Sequence, residues 1–295
     1  MIWWIQAARL RTLPLATATV FFGAAGITWN SHNVLVVVLA WLTAVALQVF
    51  SNFANDWGDY KNGADNDNRI GPTRVMQSGR VTMKSMKRAL VFLGFMAFCL
   101  GIALLVYALV LSDRYADFFV FLAAGIFALW AAYRYTAGEN PYGYKGFGDL
   151  FVFFFFGIAS PVGVYYLLRF SMDWNVLLRV GFVGVACVMV LHLNNMRDRQ
   201  TDEATGKRTV AVKLGFKWAK WLHFSYGIIC LLSSFGLAFY LHFSFWSNIF
   251  FAFSALWLIA HLIFVIRVKK EVHFDSQLKV VALSTFVNSI LFLFC

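Results

Sequence analysis

Acidic side chains are scarce in this sequence, with 14 Asp plus Glu in 295 residues and charged residues only 13% of the whole. A water-exposed domain averages nearer ~25% charged, so a soluble fold is excluded. Cysteine is equally thin. Cys99, Cys187, Cys230 and Cys295 lie inside apolar segments without paired spacing, which leaves neither a disulfide framework nor a thiolate metal site. The start lacks the charged-then-apolar order of a signal peptide, because Trp3 and Trp4 precede Arg9 and Arg11. No apolar run alternates with the period of a barrel strand. The net charge of +11 lacks a single solvated basic face, so no nucleic-acid partner is expected.

What is present is apolar surface. Hydrophobic residues make up 61% and the mean hydropathy is +0.69, values of a polytopic membrane protein measured in spans of ~20 residues. Apolar runs fall at about 13–29, 34–54, 89–111, 116–136, 150–168, 176–195, 221–241, 249–266 and 277–295. Lipid forces such runs into helices, since the backbone must satisfy itself. The expectation is an all-α membrane protein of nine transmembrane helices in one domain, 1–295. A short interfacial helix over Ile2–Ala8 precedes them, with its tryptophans at headgroup level, and Pro14 suits a first helical turn.

Nearly all of the 25 Lys plus Arg fall before helix 1 or after helices 2, 4, 6 and 8, leaving only Arg114, Arg169 and Arg179 on the other side. The positive-inside rule then puts the N-terminus in the cytoplasm and Cys295 outside. Helices 1–4 and 5–8 form a parallel internal repeat in this reading.

The acids are not scattered. Asp56, Asp59, Asp65 and Asp67 fall in the polar stretch Asn52–Gly79, and Asp198, Asp202 and Glu203 in a second, Asn194–Gly215. If helix 2 continues to about Tyr60, Asn52, Asp56 and Asp59 share one face, with Asn55 beside Asp59. Helix 6 repeats the pattern with Asn194 or Asn195, Asp198 and Asp202. Each helix then ends in a column of carboxylate and carboxamide oxygens. Hard oxygens without His or Cys match Mg2+, which shares itself with substrate phosphates. Lys61, Arg69 and Arg74 follow the first column, and Lys207 and Arg208 the second, as donors to a diphosphate. Metal-binding acids followed by phosphate-binding bases make a diphosphate-ionising site.

These residues resemble the UbiA superfamily of intramembrane aromatic prenyltransferases, with two Asp-rich cytoplasmic motifs. The likeness runs through Arg9–Leu15 (RLRTLPL), both acid stretches, Tyr135–Thr136 and Asn140–Asp149 (NPYGYKGFGD). Gly63 stands where the wider superfamily has a further Asp, as in the branch acting on 1,4-dihydroxy-2-naphthoate in menaquinone synthesis. The resemblance implies that a polyprenyl diphosphate loses diphosphate with Mg2+ assistance and alkylates 1,4-dihydroxy-2-naphthoate, releasing CO2 and giving demethylmenaquinone. It implies a bacterial inner (cytoplasmic) membrane protein surrounded by membrane lipid. Catalysis and metal binding fall to Asp56, Asp59, Asp198 and Asp202, with Asp65 as a further ligand. Substrate binding falls to Arg9, Asn52, Asn55, Lys61, Arg69, Arg74, Tyr135, Asp149, Asn194, Asn195, Lys207 and Arg208. Phe151–Phe156 is a candidate isoprenoid wall, whereas His192, His223 and His261 read as structural hydrogen-bonders. Other aromatic acceptors within the superfamily remain an alternative. So does a secondary transporter, although its site would lie in broken helices at the midplane.

Overall fold

The computed structural model describes residues 2–64, 73–138, 140–242 and 244–294. Among them there is no strand, and eleven α-helical stretches follow one another: α1 Ile2–Ala8, α2 Leu13–Ala24, α3 Ser31–Lys61, α4 Met83–Ala108, α5 Tyr115–Arg134, α6 Gly148–Arg169, α7 Asn175–Arg197, α8 Arg199–Ala204, α9 Val210–Tyr240, α10 Phe245–Arg267 and α11 Phe274–Leu293. Polar side chains start the long ones. Asn30, Thr82, Thr209 and Ser244 each accept the backbone N–H three residues on, satisfying a donor that the first turn leaves orphaned.

Eight helices are long and apolar enough to cross a membrane, and they coincide with the last eight apolar runs. The first run, 13–29, does not give a full-length span. Its helix has 12 residues, about 18 Å at 1.5 Å per residue against a hydrocarbon core of about 30 Å. It stops inside the bundle because its final carbonyls are capped there. Arg179, buried on α7, donates to Phe22 O at 2.5 Å, and Arg169 donates to Ala25 O at 3.0 Å. Both cations sit at the negative end of the helix dipole.

The most enclosed span is α7, with 67% of its apolar window buried. It packs between α2, α9 and α11 through Phe22, Phe182, Met189, Leu193, Phe274 and Phe292. Helices α6 and α7 each loosen into a π-helical stretch, Phe153–Ala159 and Val180–Gly184. The two stretches touch at Gly157 and Gly184, where an added Cβ would come within 2.7 Å of the opposite Cα. Only glycine permits that approach.

The amino-terminal helix α1 lies on the far end of α3, with Trp4 stacked on Phe53 at 5.8 Å. Between α1 and α2 the chain turns at Arg9, whose left-handed backbone (φ 50°, ψ 61°) costs roughly 1–2 kcal/mol for a non-glycine residue. That turn aims its guanidinium back into the bundle.

Candidate active site

Helix α3 does continue through Lys61, so Asn52, Asp56 and Asp59 share one face of its last turns, with Asn55 one turn before Asp59. Asn52, Asp56 and Asp59 are buried. Asp56 accepts from Arg9 Nη2 and, at 2.6 Å, from Arg74 Nη1. Asp59 accepts from Tyr144 Oη at 2.7 Å and Lys207 Nζ at 3.1 Å, with Arg74 Nη2 at 3.9 Å. Between them Gly58 lets the loop after α5 press close, since a Cβ there would stand 2.6 Å from Thr136. Thr136 Oγ1 in turn reaches Ala54 O and Asn55 Oδ1, each at 3.2 Å.

The second motif is not a continuous column. Helix α7 ends at Arg197, and Asp198 caps it with φ −91° and ψ 6° before the short helix α8 begins. The break has a cause in the neighbouring side chain. Arg197, fully buried, folds back to grip Asp198 through Nε and Nη2, both at 2.7 Å, while reaching Asn194 Oδ1 at 2.8 Å and Asp275. Asp202 therefore sits on a separate helix, where Lys207 Nζ approaches it to 3.9 Å. Because the same ammonium binds Asp59, Lys207 ties the two motifs together.

Other expected residues divide. Asn194 shares the Arg197 fork, and Asn195 is buried beside it. Lys61 does not join the acids: it is exposed, with Nζ over the Trp57 ring at 5.3 Å. Arg208 is also exposed and contributes its backbone, N–H to Tyr144 O at 2.7 Å. Asp65, Asp67 and Arg69 lie outside the described residues. Arg197 and Asp275 were not singled out by sequence reasoning, and Tyr144 stood only among the tyrosines of the loop between the fourth and fifth spans. Arg197 had a signal, since it directly precedes the motif acid Asp198.

Asp149 starts α6, buried, with Oδ2 3.2 Å from His192 Nδ1, while His192 Nε2 meets Ala219 O at 3.1 Å. Beyond it His223 and His261 bond to each other at 2.9 Å. His223 Nδ1 has no hydrogen-bond partner among the described residues. Tyr135, just past α5, sits against the same corner. Desolvation, then the carboxylates of Asp149 and Asp59, push its hydroxyl well above the usual phenol range, so it stays protonated. Tyr142 is likewise raised by burial and donates to Ala131 O at 2.7 Å.

A cavity of about 410 Å³ opens from this cluster. Its head is polar, with Arg9, Asn52, Asn55, Tyr135 and Asn194. Its body is apolar and runs between α3, α4, α5 and α6 to Ala40, Leu105 and Leu167. From Asn52 to Ala40 along α3 is about 18 Å. Phe151, Phe155 and Phe156 form one wall, and the small residues Ala124, Gly125, Ala128 and Ala132 of α5 leave the other side open to a guest. The cavity thus joins a polar head, next to the paired charges of Asp56 and Arg9, to a long apolar slot.

Fold and site together define a multi-pass membrane protein with a polar-headed apolar cavity between its helices. The sequence profile of the UbiA prenyltransferase family matches residues 14–290, and the chain belongs to that family. A 1,4-dihydroxy-2-naphthoate octaprenyltransferase of Haemophilus influenzae is 39% identical over 272 residues, 90% of this chain and 85% of that protein. Another of that name from Escherichia coli is 41% identical over 213 residues, 72% of this chain and 68% of that protein. Among solved structures, a UbiA homolog from Archaeoglobus fulgidus bound to DMAPP and Mg2+ shares the fold with a TM-score of 0.62 at 12% identity, covering 99% of this chain and 97% of that one.

Proposed function

We propose that this protein is a prenyltransferase of menaquinone synthesis. It joins the prenyl group of a polyprenyl diphosphate to 1,4-dihydroxy-2-naphthoate, with loss of diphosphate and CO2. The cavity carries this reading: its apolar slot fits an isoprenoid tail, and its polar head adjoins the region where Asp56 and Asp59 meet Arg9, Arg74 and Lys207. The proteins named above at 39% and 41% identity supply the acceptor's identity.

In this reading the allylic carbon lies at the slot's head and the diphosphate beyond it, among Arg9, Arg74 and Lys207. Their present partners are Asp56, Asp59 and Asp202, so a diphosphate enters by drawing these cations onto its oxygens. Charge grows on the leaving diphosphate in the transition state, which is where prepositioned cations stabilise most. Asp56, Asp59, Asp198 and Asp202 are hard-oxygen donors suited to Mg2+. Among the described residues no three acids or histidines form a ready-made metal cage, and an ion held by one or two carboxylates and completed by substrate phosphates needs none. When bound, Mg2+ would neutralise the charge gathering on the diphosphate. Tyr135 then contributes a neutral hydroxyl at the head of the slot, and the aromatic wall excludes water from the cation.

The multi-pass chain lies in the cytoplasmic membrane in this proposal, as one domain with its acid motifs on the cytoplasmic side and α2 completing a ring of nine helices. The test supplies purified protein with Mg2+, a polyprenyl diphosphate and either dihydroxynaphthoate or hydroxybenzoate, and identifies the product by mass. Prenylated and decarboxylated naphthoate is expected; product from hydroxybenzoate alone overturns the acceptor assignment.

A further inference from the structure

One buried oxygen in the cavity wall has no hydrogen-bond partner, and the bonds around it fix its identity. Asn52 Nδ2 donates to Ala8 O at 2.9 Å, a carbonyl that only accepts, so Asn52 Oδ1 must face Gln48 at 3.4 Å. Thr12 donates its hydroxyl hydrogen to Arg9 O at 3.0 Å and therefore accepts from Gln48 at 3.1 Å. Both contacts demand the amide nitrogen of Gln48. Its oxygen, Oε1, is left shielded from solvent without a donor among the described residues, although Gln48 lines the cavity. An orphaned buried acceptor is costly, and a hydroxyl of a bound molecule would relieve it.

The cavity wall also carries a cation. Thr12 follows Arg11, which reaches Asp275 at 3.7 Å, and Asp275 also takes Arg197. One turn further along α11, Lys279 lines the cavity. Among the described residues it makes no hydrogen bond or ion pair, in contrast to Arg9 on the same wall. The exposed ammonium of Lys279 and the buried acceptor oxygen of Gln48, neither partnered among the described residues, belong to two residues that line one cavity, and together they match a ring bearing a carboxylate next to a hydroxyl.

We propose that Gln48 and Lys279 form the acceptor subsite. The hydroxyl donates to Gln48 Oε1 and the neighbouring carboxylate pairs with Lys279, which holds the ring on the α2, α3 and α11 side while the prenyl chain occupies the α4, α5 and α6 side. This deepens the proposed function and rests on it for the acceptor's class, a hydroxyaryl carboxylate.

The experiment measures both Michaelis constants in the purified full-length protein. Lys279→Ala is expected to raise KM for dihydroxynaphthoate about tenfold or more, leave KM for the polyprenyl diphosphate within about twofold, and recover with Lys279→Arg. Gln48 is read by competition: 1-hydroxy-2-naphthoate should inhibit the wild type about tenfold better than 2-naphthoate, and Gln48→Met should erase that preference. An unchanged acceptor KM in Lys279→Ala, or a rise of both constants together, overturns the subsite. If the wild type prenylates hydroxybenzoate instead of the naphthoate, the proposed acceptor fails. The Lys279 effect, measured on that hydroxyaryl carboxylate, still decides the subsite.

Discussion

Lys207 Nζ lies 3.1 Å from Asp59 Oδ1 and 3.9 Å from Asp202 Oδ1, so one ammonium spans two acidic motifs, its partner Asp59 lying 148 residues before it in the chain. Removing it as Lys207→Met leaves Asp59 with Tyr144 and Arg74. Turnover is expected to fall about 100-fold, the usual scale for one prepositioned charge donor. A steady-state assay checks this, and wild-type kcat would remove Lys207 from the diphosphate site.

Asp56→Ala and Asp198→Ala should both abolish turnover, yet they differ in stability. Asp56 pairs with two partly solvated arginines, Arg9 and Arg74, and Arg74 keeps Asp59. Asp198 neutralises Arg197, which is wholly buried. Breaking a buried pair costs about 3–5 kcal/mol, here reduced because Arg197 keeps Asn194 and Asp275. Thermal melts in detergent should show the larger drop for Asp198→Ala; equal drops would contradict the burial argument.

Membranes treated with EDTA should lose prenyl transfer and regain it with added Mg2+. The acids at this site are hard-oxygen donors without His or Cys among them. Transfer that persists through chelation would sink the metal assignment.

Gly125 lines the cavity and has no atom within 4 Å of where a Cβ would stand. Gly125→Leu therefore fills the slot without a clash. Its kcat/KM for long polyprenyl diphosphates should fall about tenfold or more, while dimethylallyl diphosphate is used as before. Equal loss for both would mean that the tail lies elsewhere.

Gly184→Ala forces a methyl against the backbone of Gly157 at 2.6 Å, separating the two π-helical stretches. Overpacking of this kind costs about 1–3 kcal/mol, readable as a lowered melting temperature. An unchanged melt would show that the contact gives way freely.

Composition and the spacing of apolar runs determined the helical membrane class and eight of the spans, because lipid leaves an apolar chain no alternative to the helix. The column Asn52, Asp56 and Asp59 was legible too, since helical period alone puts those positions on one face. The clustering of acids pointed to the site for the same local reason. The length of α2 was not legible, because its end is set by Arg169 and Arg179 arriving from other helices. Nor was the break at Asp198, which depends on Arg197 finding Asp198, Asn194 and Asp275 together in the core. Lys61 and Lys207 look alike as bases following an acid; only packing turned one onto Trp57 and the other into the link between motifs. Sequence fixes which groups are available within a few turns of helix, whereas their pairing depends on contacts that tertiary packing alone creates.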